Sequence, residues 1–378
     1  MRSSQLFSPI TLGGVDLSNR IVVAPMCQYS ADAGSATDWH IMHLGQFAVG
    51  GVGLIMVEAT GVSPEARISP GCLGLWSDAN QDALARVVRF CEDYGNARMG
   101  IQLAHAGRKA STDLPWYGGA PIPAADERGW QTVAPSALAY SNAFETPVAL
   151  DDAGLAKIVD DFVAATRRAD AIGFDVVEVH MAHGYLMHQF LSPLSNNRND
   201  AYGGGLEGRM RFPLEVFAAV RGVWPRNKAL GVRISATDWV EGSSWTVKEA
   251  SLFTAALYDA GADFIDVSSG GNSPAQQIEA GPGYQTGFAA TIRREVGIPT
   301  MAVGQITEPR QAEAILRSGQ ADMVALGRGM LFNPRWAWHA AEALDAEATF
   351  APQYMRSSRA LRGEPVPGNP PVKGRKSD

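Results

Sequence analysis

Short apolar runs recur along the chain, and they are continuous rather than alternating with polar positions. They are rich in Met and in Val and Ile, and the latter two favour extended strands. Continuous runs of this kind are typical of strands buried on both faces, as in a parallel sheet. The pattern predicts eight strands, at residues 21–24, 53–59, 99–104, 174–180, 230–235, 264–268, 300–303 and 323–326.

Helical patterns lie between these runs. Residues 151–172 place their apolar side chains on one stripe at a spacing of about 3.6 residues, and Gly173 follows as a stop signal. Similar signals predict helices from Asp78 to Gly95, from the capping box of Thr246 and Glu249 to Gly261, and from Thr307, with Pro309 in the first turn, to Gly319.

Eight strands that alternate with helices predict an α/β fold, namely a (β/α)8 or TIM barrel. An open doubly wound sheet is the alternative, but the chain lacks a Rossmann start. The long segments 105–150 and 181–208 follow the third and fourth strands, so they would emerge at the carboxyl end of the barrel, where barrel active sites lie. We expect a single barrel domain at 1–350, with 1–20 covering the opposite end and a last helix at 334–350, and a tail at 351–378.

Composition narrows the class of protein. The chain has 378 residues, of which 46% are hydrophobic, so one large core is feasible and global disorder is excluded. A formal net charge of −7 offers no basic surface, and we expect neither nucleic acid nor a membrane as a partner. Three widely spaced cysteines favour neither a disulfide framework nor a zinc or iron–sulfur site. The first residues also lack the apolar stretch of a signal peptide, which favours the cytoplasm.

Two apparent motifs fail when their context is considered. Gly203, Gly205 and Gly208 match the pattern GxGxxG, but the polar residues before them do not predict the strand that a dinucleotide site requires. His40 and His43 lack the HExxH pattern, and no nearby carboxylate completes a metal site. We interpret these two histidines as one face of a helix and expect no metal.

Polar side chains with catalytic chemistry gather where the fourth strand ends. His180 ends that strand, and His183 and Tyr185 follow directly. Neutral imidazoles can donate hydrogen bonds to a substrate oxygen, and a phenol can deliver a proton. Near the end of the third strand, the Gln102 amide offers a donor and an acceptor, which suits the amide edge of a heterocycle. Arg233 lies inside the fifth strand, so it needs an anionic partner from protein or ligand.

Glycines follow the seventh and eighth strands, at Gly304 and at Gly327, with Arg328 next in the chain. Barrels commonly bind phosphate here through backbone N–H groups, and an arginine strengthens the attraction for an anion. The residues alone therefore predict a barrel with a phosphate site at strands 7 and 8 and with groups suited to a heterocycle at strands 3 to 5.

These residues lie in stretches that resemble the Old Yellow Enzyme family of flavin-dependent ene-reductases. Within that family, the sequence is similar to the thermophilic-like branch that includes xenobiotic reductases. The resemblance extends from about residue 20 to about residue 330, in family order, and it implies a TIM barrel with non-covalent FMN. The matching stretches are 19–29 (NRIVVAPMCQY), 102–108 (QLAHAGR), 179–186 (VHMAHGYL), 189–193 (QFLSP), 197–204 (NRNDAYGG), 209–212 (RMRF) and 325–329 (ALGRG).

The resemblance also implies a role for each matching residue. His180 and His183 would bind the carbonyl oxygen of the substrate, Tyr185 would donate the proton, and Tyr29 would flank the substrate. Cys27 would lie near the flavin and tune it rather than act as a nucleophile. FMN would be bound by Ala24, Pro25, Met26 and Cys27 at the ring edge, by Thr60, Gln102 and the cation Arg233 at the pyrimidine side, and by Gly304, Gly327 and Arg328 at the phosphate.

The activity implied by the resemblance has two half-reactions. NADPH, or NADH, would reduce FMN, and a hydride would then pass from flavin N5 to the activated C=C bond of an enone, a maleimide or a nitro compound. Residues 351–356 resemble a tail that branch members extend across a dimer interface. We therefore expect a homodimer or a dimer of dimers, in which Arg356 reaches the neighbouring active site.

Three other functions remain as alternatives. A dihydrouridine synthase is a flavin barrel, but it would need a basic RNA surface that this acidic chain lacks. A dihydroorotate dehydrogenase is a second flavin barrel. A relative within the resembled family that carries an iron–sulfur cluster would need a cysteine cluster after the barrel, and no cysteine follows Cys91. A flavin-binding protein without turnover is the third, and the presence of His180, His183 and Tyr185 argues against it.

Overall fold

A computed structural model describes residues 4–357 of the chain. Strands and helices alternate along most of this length. Within these residues the strands are β1 (Ile10–Leu12), β2 (Val15–Leu17), β3 (Ile21–Val23), β4 (Leu54–Gly61), β5 (Arg98–Ala104), β6 (Val133–Ala134), β7 (Val148–Ala149), β8 (Val176–Met181), β9 (Ala229–Ser235), β10 (Phe264–Ser268), β11 (Thr300–Ala302) and β12 (Met323–Leu326).

Eight of the described strands form a closed parallel barrel. Going round it, the order is β3, β4, β5, β8, β9, β10, β11 and β12, and β12 pairs with β3 to close the ring. Each predicted apolar run forms one barrel strand, with ends within two residues of those expected. The TIM-barrel prediction is therefore confirmed, and the doubly wound alternative is wrong because an open sheet would leave two strand edges unpaired.

Helices cover the outside of the barrel, and their apolar stripes pack on the outward faces of the strands. Single 3₁₀ turns occupy Pro64–Ala66, Gly107–Lys109, Pro115–Tyr117 and Pro352–Tyr354. The α-helices of the described chain are α1 (Asp38–Ala48), α2 (Asp78–Tyr94), α3 (Asp152–Ile172), α4 (Leu186–Leu191), α5 (Leu206–Val223), α6 (Val247–Asp259), α7 (Thr286–Val296), α8 (Pro309–Arg317), α9 (Arg328–Phe332) and α10 (Trp336–Ala343).

Local signals set the helix ends. Gly173 ends α3 with φ of +108°, a left-handed conformation that glycine adopts without a steric cost. Thr246 and Glu249 form the predicted capping box at the start of α6. The N-cap of α8 is Glu308 rather than Thr307, because Pro309 takes the first helical position, where its missing N–H costs nothing.

Two layers of side chains fill the barrel interior. The lower layer, near the amino ends of the strands, is apolar and includes Phe264, Met56 and Val176. Inward-facing positions recur every second residue along a strand, so the next layer contains Gln102, Glu178, Arg233 and Asp266, all of them buried. The barrel is thus apolar below and polar immediately above.

The ends of the chain cover the barrel in different places. Leu12, Val15 and Leu17 of the β1–β2 hairpin pack into the lower apolar layer, so the described part of 1–20 closes the amino end as expected. The last helix is shorter than the predicted 334–350, since α10 ends at Ala343. The described part of the tail packs on its own chain, with Tyr354 against Trp338, and Phe350 just before the tail packs on the same ring. Residues 358–378 lie outside the described residues.

In residues 4–357, no helix combines the length and the apolar character that crossing a bilayer requires.

The small residue at position 231 makes room for the lower layer, so Gly231→Ala is expected to destabilise the barrel. A methyl group there would overlap the Phe264 ring. Overpacking of this kind costs about 2 kcal/mol of unfolding free energy, measured by urea denaturation. The control is Gly222→Ala in α5, where a Cβ meets no atom within 4 Å. It should leave stability unchanged or raise it by up to about 1 kcal/mol, and equal effects of both variants would contradict this packing.

Candidate active site

A cavity of about 560 Å³ lies at the carboxyl end of the barrel. The ends of β3, β9, β10, β11 and β12 and the loops that follow them line it. This is the end of a TIM barrel at which active sites occur. The structure brings together here the predicted cofactor residues Ala24, Pro25, Met26, Arg233, Gly304, Gly327 and Arg328.

One part of this cavity is suited to an anion. Gly304 has φ of +124°, and a Cβ there would lie 3.0 Å from the Gln285 side chain and 3.1 Å from the Tyr284 ring, so only a glycine fits without strain. Arg328 lines the same cavity and has no ion-pair partner within residues 4–357. A guanidinium beside accessible backbone is the chemistry that binds phosphate.

Two of the predicted cofactor residues, Gln102 and Arg233, belong to the polar layer beneath the cavity, and each contacts a carboxyl side chain there. Gln102 Nε2 donates a hydrogen bond to Glu178 Oε1 at 2.6 Å. Arg233 Nε lies 3.2 Å from Asp266 Oδ2, so the anionic partner that a buried arginine requires is supplied by the protein itself. Both pairs sit on adjacent or facing strands, and the barrel holds them rigidly.

The two histidines at the end of β8 form a hydrogen-bonded chain. Ala182 N–H donates to His180 Nδ1 at 3.1 Å, which places the imidazole proton on Nε2. His180 Nε2 lies 3.3 Å from His183 Nδ1, and His183 Nε2 lies 2.7 Å from Ser268 Oγ. The Tyr185 ring packs edge-on against His180 with centroids 5.0 Å apart. The three predicted catalytic side chains therefore form one cluster.

The electrostatics of this cluster keep each group neutral. Burial, and then the charge of Arg233, holds the pKa of His180 and that of His183 well below the usual histidine value. Burial, and then the neighbouring Cys27, raises the pKa of Tyr185 well above that of a free phenol. At neutral pH the cluster thus offers uncharged imidazole donors and a phenol that retains its proton.

A buried pair of side chains, Glu58 and His40, anchors the loop that follows β3. Glu58 Oε2 accepts the backbone N–H of Gln28 at 3.0 Å, and Glu58 Oε1 lies 3.3 Å from His40 Nε2. Thr37 N–H donates to His40 Nδ1, so the proton of His40 faces Glu58. His40 lies on helix α1, as predicted, but it also positions the loop that carries Cys27, which the sequence interpretation did not foresee.

Cys27 and Tyr29 extend from that loop. The Cys27 thiol is hydrogen-bonded to Cys72, and this contact together with burial raises its pKa well above the usual value. Tyr29 has φ of +50° and packs edge-on against Trp116 of the long loop 105–150, with ring centroids 6.0 Å apart. Thr60 is buried at the end of β4 and donates to a backbone carbonyl of its own strand.

The predicted residue Arg356 does not lie at this cavity. It is exposed in the described part of the tail and is not among the cavity-lining residues. Within residues 4–357, no three His, Cys, Asp or Glu side chains are grouped as metal ligands.

Several polar residues of the site were missed in the sequence. Lys109 Nζ donates to the carbonyl oxygens of His183 and Gly271 and lies 5.1 Å from the Tyr185 ring centroid. Burial lowers the pKa of Lys109 to about 8. Glu58, Glu178 and Asp266 were also missed. Each is a carboxyl side chain inside an otherwise apolar strand, and a carboxyl group is rarely buried in a strand unless it has a partner or a function.

The chain is similar to known proteins over most of its length. Residues 5–347 match the model of the NADH:flavin oxidoreductase / NADH oxidase family. An NADPH dehydrogenase of Geobacillus sp. (strain WCH70) is 45% identical over 358 residues, which cover 94% of this chain and 99% of that protein. An NADPH dehydrogenase of Geobacillus thermodenitrificans (strain NG80-2) is 46% identical over 356 residues, which cover 94% of this chain and 98% of that one.

Solved structures are similar over nearly the whole chain. Morphinone reductase superimposes with a TM-score of 0.75 at 30% identity, and the match covers 92% of this chain and 91% of that one. Another structure of morphinone reductase contains tetrahydroNAD. The Old Yellow Enzyme homologue from Zymomonas mobilis superimposes with a TM-score of 0.74 at 27% identity, covering 92% of this chain and 94% of that one.

A buried pair, Asp238 and His188, supports the turn from His183 to Tyr185 and provides a test of how that turn is held. Asp238 Oδ1 lies 3.1 Å from His188 Nε2, and His188 Nδ1 accepts the Gly184 N–H that lies between His183 and Tyr185. Asp238→Asn should lower the unfolding free energy by about 3 kcal/mol at pH 7, because the buried carboxylate that accepts from Ser192 and Trp245 is replaced by a neutral amide. Burial raises the pKa of Asp238, but the contact with His188 and these hydrogen bonds outweigh it and hold the pKa below 3.8, so this stabilisation should vanish as the pH falls through the folded pKa.

Urea unfolding of both proteins at pH 7 and below pH 4 measures this difference. The control is Asp78→Asn, which removes an exposed ion pair with Arg168. It should change the unfolding free energy by less than about 1 kcal/mol. A similar loss in both variants, or a difference that is independent of pH, would contradict the proposed role of the Asp238–His188 pair.

Proposed function

The chain belongs to the NADH:flavin oxidoreductase / NADH oxidase family, and from that premise we propose that it is an ene-reductase. As a family member it is an FMN-dependent NAD(P)H oxidoreductase of the Old Yellow Enzyme type. Its proposed substrates are enones, maleimides and nitro compounds with an activated C=C bond. The observation that carries the proposal is the cluster of neutral His180, neutral His183 and protonated Tyr185 beside the cavity.

The residues of the cavity fit FMN. We assign the phosphate to Gly304, Gly327 and Arg328, since a bare backbone and an unpaired guanidinium meet there. The Gln102 amide, Thr60 and Arg233 would face the pyrimidine part of the ring, and the chain from Ala24 to Cys27 would follow its edge. Bound FMN would supply the redox chemistry, namely hydride transfer from NAD(P)H to the substrate.

His180 and His183 are assigned to the substrate oxygen. The two imidazoles are hydrogen-bonded to each other in this structure. An oxygen that enters between them would accept one N–H hydrogen bond from each. Ser268 could then donate to His183 Nε2 in place of accepting from it. A donor aimed at the negative charge that develops on such an oxygen typically contributes about 3 kcal/mol of transition-state stabilisation. Since the donor and the acceptor would occupy the same cavity, we propose that they bind in turn, in a ping-pong cycle.

Tyr185 is assigned the proton transfer to the substrate Cα. Its raised pKa keeps the phenol protonated until a carbanion-like acceptor arrives. Lys109 lies over the same ring and can stabilise the phenolate that remains. Cys27 and Tyr29 lie within electrostatic range of this group, because their ionised forms would raise the pKa of Tyr185 further. We propose that Cys27 tunes the flavin and that Tyr29 flanks the substrate.

We further propose that the protein assembles as a homodimer or a dimer of dimers in the cytoplasm. Exposed apolar side chains cluster where α1, α2 and the described tail meet, and a cavity of about 590 Å³ opens among them. A second copy would cover Met42, Phe90, Tyr94 and Tyr354. The tail on this face could then carry Arg356 to the neighbouring active site. The three cysteines are unpaired, which fits a reducing compartment.

Replacement of Tyr185 by Phe tests the proton donor. Tyr185→Phe should slow the reoxidation of the reduced enzyme by 2-cyclohexenone by about 100-fold, the usual contribution of a positioned acid. Reduction by NADPH should remain within about twofold, because that half-reaction needs no proton at Cα. Stopped-flow absorbance of each half-reaction measures the two rates. Tyr140→Phe, a second tyrosine beside Lys109, is the matched control. Equal losses in both half-reactions of Tyr185→Phe would refute the assigned role.

The proposed role of the tail is tested by Arg356→Ala. We expect a several-fold higher KM for 2-cyclohexenone with FMN still bound, because the phosphate site lies entirely within the barrel. Light scattering should show the oligomer. The control is Arg294→Ala, an exposed arginine on α7 whose side chain is 69% accessible. A monomeric enzyme in which both variants keep the original KM would overturn the proposal.

A further inference from the structure

Three ionisable side chains share the closed interior of the barrel. Glu178, Arg233 and Asp266 are buried and come from three consecutive strands of the ring, β8, β9 and β10. They comprise two acids and one permanent cation. A charge buried without a partner is costly, so this interior is balanced only if one of the acids carries a proton.

The ion pairing favours Glu178 as the acid that holds the proton, although Asp266 Oδ1 is also buried without a hydrogen-bond partner among the described residues. Asp266 pairs with the guanidinium, since its Oδ2 lies 3.2 Å from Arg233 Nε. Glu178 has no ion-pair partner within residues 4–357, and its hydrogen bond at Oε1 comes from the neutral amide of Gln102. Its other oxygen, Oε2, is buried with no hydrogen-bond partner among the described residues. A protonated carboxyl group fits that environment, whereas a carboxylate does not.

Electrostatics support this assignment. Burial first, and then the charge of Asp266, raises the pKa of Glu178 to about 8, while Arg233 and the Gln102 hydrogen bond act in the opposite direction. Its usual value is 4.5. These are the groups that face it from β5, β9 and β10, and His180, two residues along its own strand, is neutral. Glu178 is therefore a neutral acid at pH 7 and ionises slightly above it.

Gln102 connects this acid to the cofactor site. An amide that donates through Nε2 to Glu178 Oε1 leaves its own Oε1 free for another group, whereas the flipped amide would need the carboxyl proton on Glu178 Oε1. The orientation of Gln102 is thus coupled to which oxygen of Glu178 carries the proton. This step rests on the proposed function, which places the pyrimidine part of FMN against Gln102 and Arg233.

We propose that Glu178 is a positioning and proton-holding residue of the active site, which orients the Gln102 amide toward the cofactor and takes up a proton when the bound ring is reduced. The ring gains negative charge when two electrons enter, and this charge disfavours a carboxylate close by. Near pH 8, the fraction of Glu178 that is ionised therefore binds a proton from solvent, giving a neutral carboxyl group. No other bond is made or broken at Glu178.

Glu178→Gln separates the two roles. The glutamine keeps an oxygen that accepts from Gln102, so FMN should bind with an unchanged Kd at pH 6.5, but it cannot ionise. In the wild type, the proton uptake on reduction should rise from one proton per two electrons at pH 6.5 to a maximum near pH 8. In the variant it should stay at one throughout. The control is Glu92→Gln, a carboxyl with a raised pKa at the opposite end of the barrel, which should keep the wild-type profile.

An infrared measurement gives a readout that needs no turnover. The protonated carboxyl of Glu178 should give a C=O band in the FMN-free protein at pH 6.5, and this band should disappear as the pH passes about 8. Glu178→Gln should lack it. Should that variant not fold, Gln102→Leu serves in its place: it removes a hydrogen bond that favours the carboxylate, so the midpoint of the band should move to higher pH.

The outcomes of these experiments distinguish a failure of the Glu178 proposal from a failure of the proposed function. If Glu178→Gln keeps both the carboxyl band and the peak of proton uptake near pH 8, Glu178 is not the proton-holding group. A band that is missing from the wild type at pH 6.5 overturns the proposal as well, even if the enzyme reduces enones. If the band titrates near pH 8 but the FMN-loaded wild type reduces no enone, maleimide or nitro compound, the proposed substrates are wrong while Glu178 retains its proton.

Discussion

Closure of the parallel strands into a ring is the constraint on which the rest of the structure depends. It turns one face of every strand inward, where there is no solvent and space for only a few layers of side chains. The lower layer meets this constraint with apolar groups, and Gly100 and Gly231 leave room for Met56 and Phe264. The next layer is polar, and its ion pair and its amide–carboxyl hydrogen bond both form within the same ring. The pairing of Arg233 with Asp266 is a consequence of that closure.

The same ring organises the loops that complete the site. Arg108 donates to the Asn272 carbonyl, and Lys109 donates to those of His183 and Gly271, so the loops after β5, β8 and β10 are joined across the opening. His183 has φ of +58°, an unfavourable conformation for a residue with a Cβ. Its N–H is fixed by Ser235 Oγ, so the strained turn is held by the next strand rather than by its own sequence.

The sequence predicts the parts of this fold that rest on local pattern. Buried parallel strands are continuous apolar runs, and Gly173 or the Thr246–Glu249 pair acts within one helix turn, so these features are readable from neighbouring residues. Partners across the ring are not readable in this way. Glu178 lies far from Asp266 in the chain, and only strand register brings them to one layer. The packing of the tail was unpredictable for a similar reason, since the contact of Tyr354 with Trp338 depends on the fold and not on the local sequence pattern.

Charge balance explains why an acid without a cation of its own is tolerated beneath this site. Arg233 alone would leave a buried positive charge in the free protein, and Asp266 neutralises it. A second carboxylate would make the interior negative and would repel a cofactor that gains negative charge on reduction. Holding Glu178 neutral avoids both penalties and still leaves an oxygen that accepts from Gln102. A glutamine could orient Gln102 equally well, so the distinctive property of a glutamate here is that its charge can change with the charge above it.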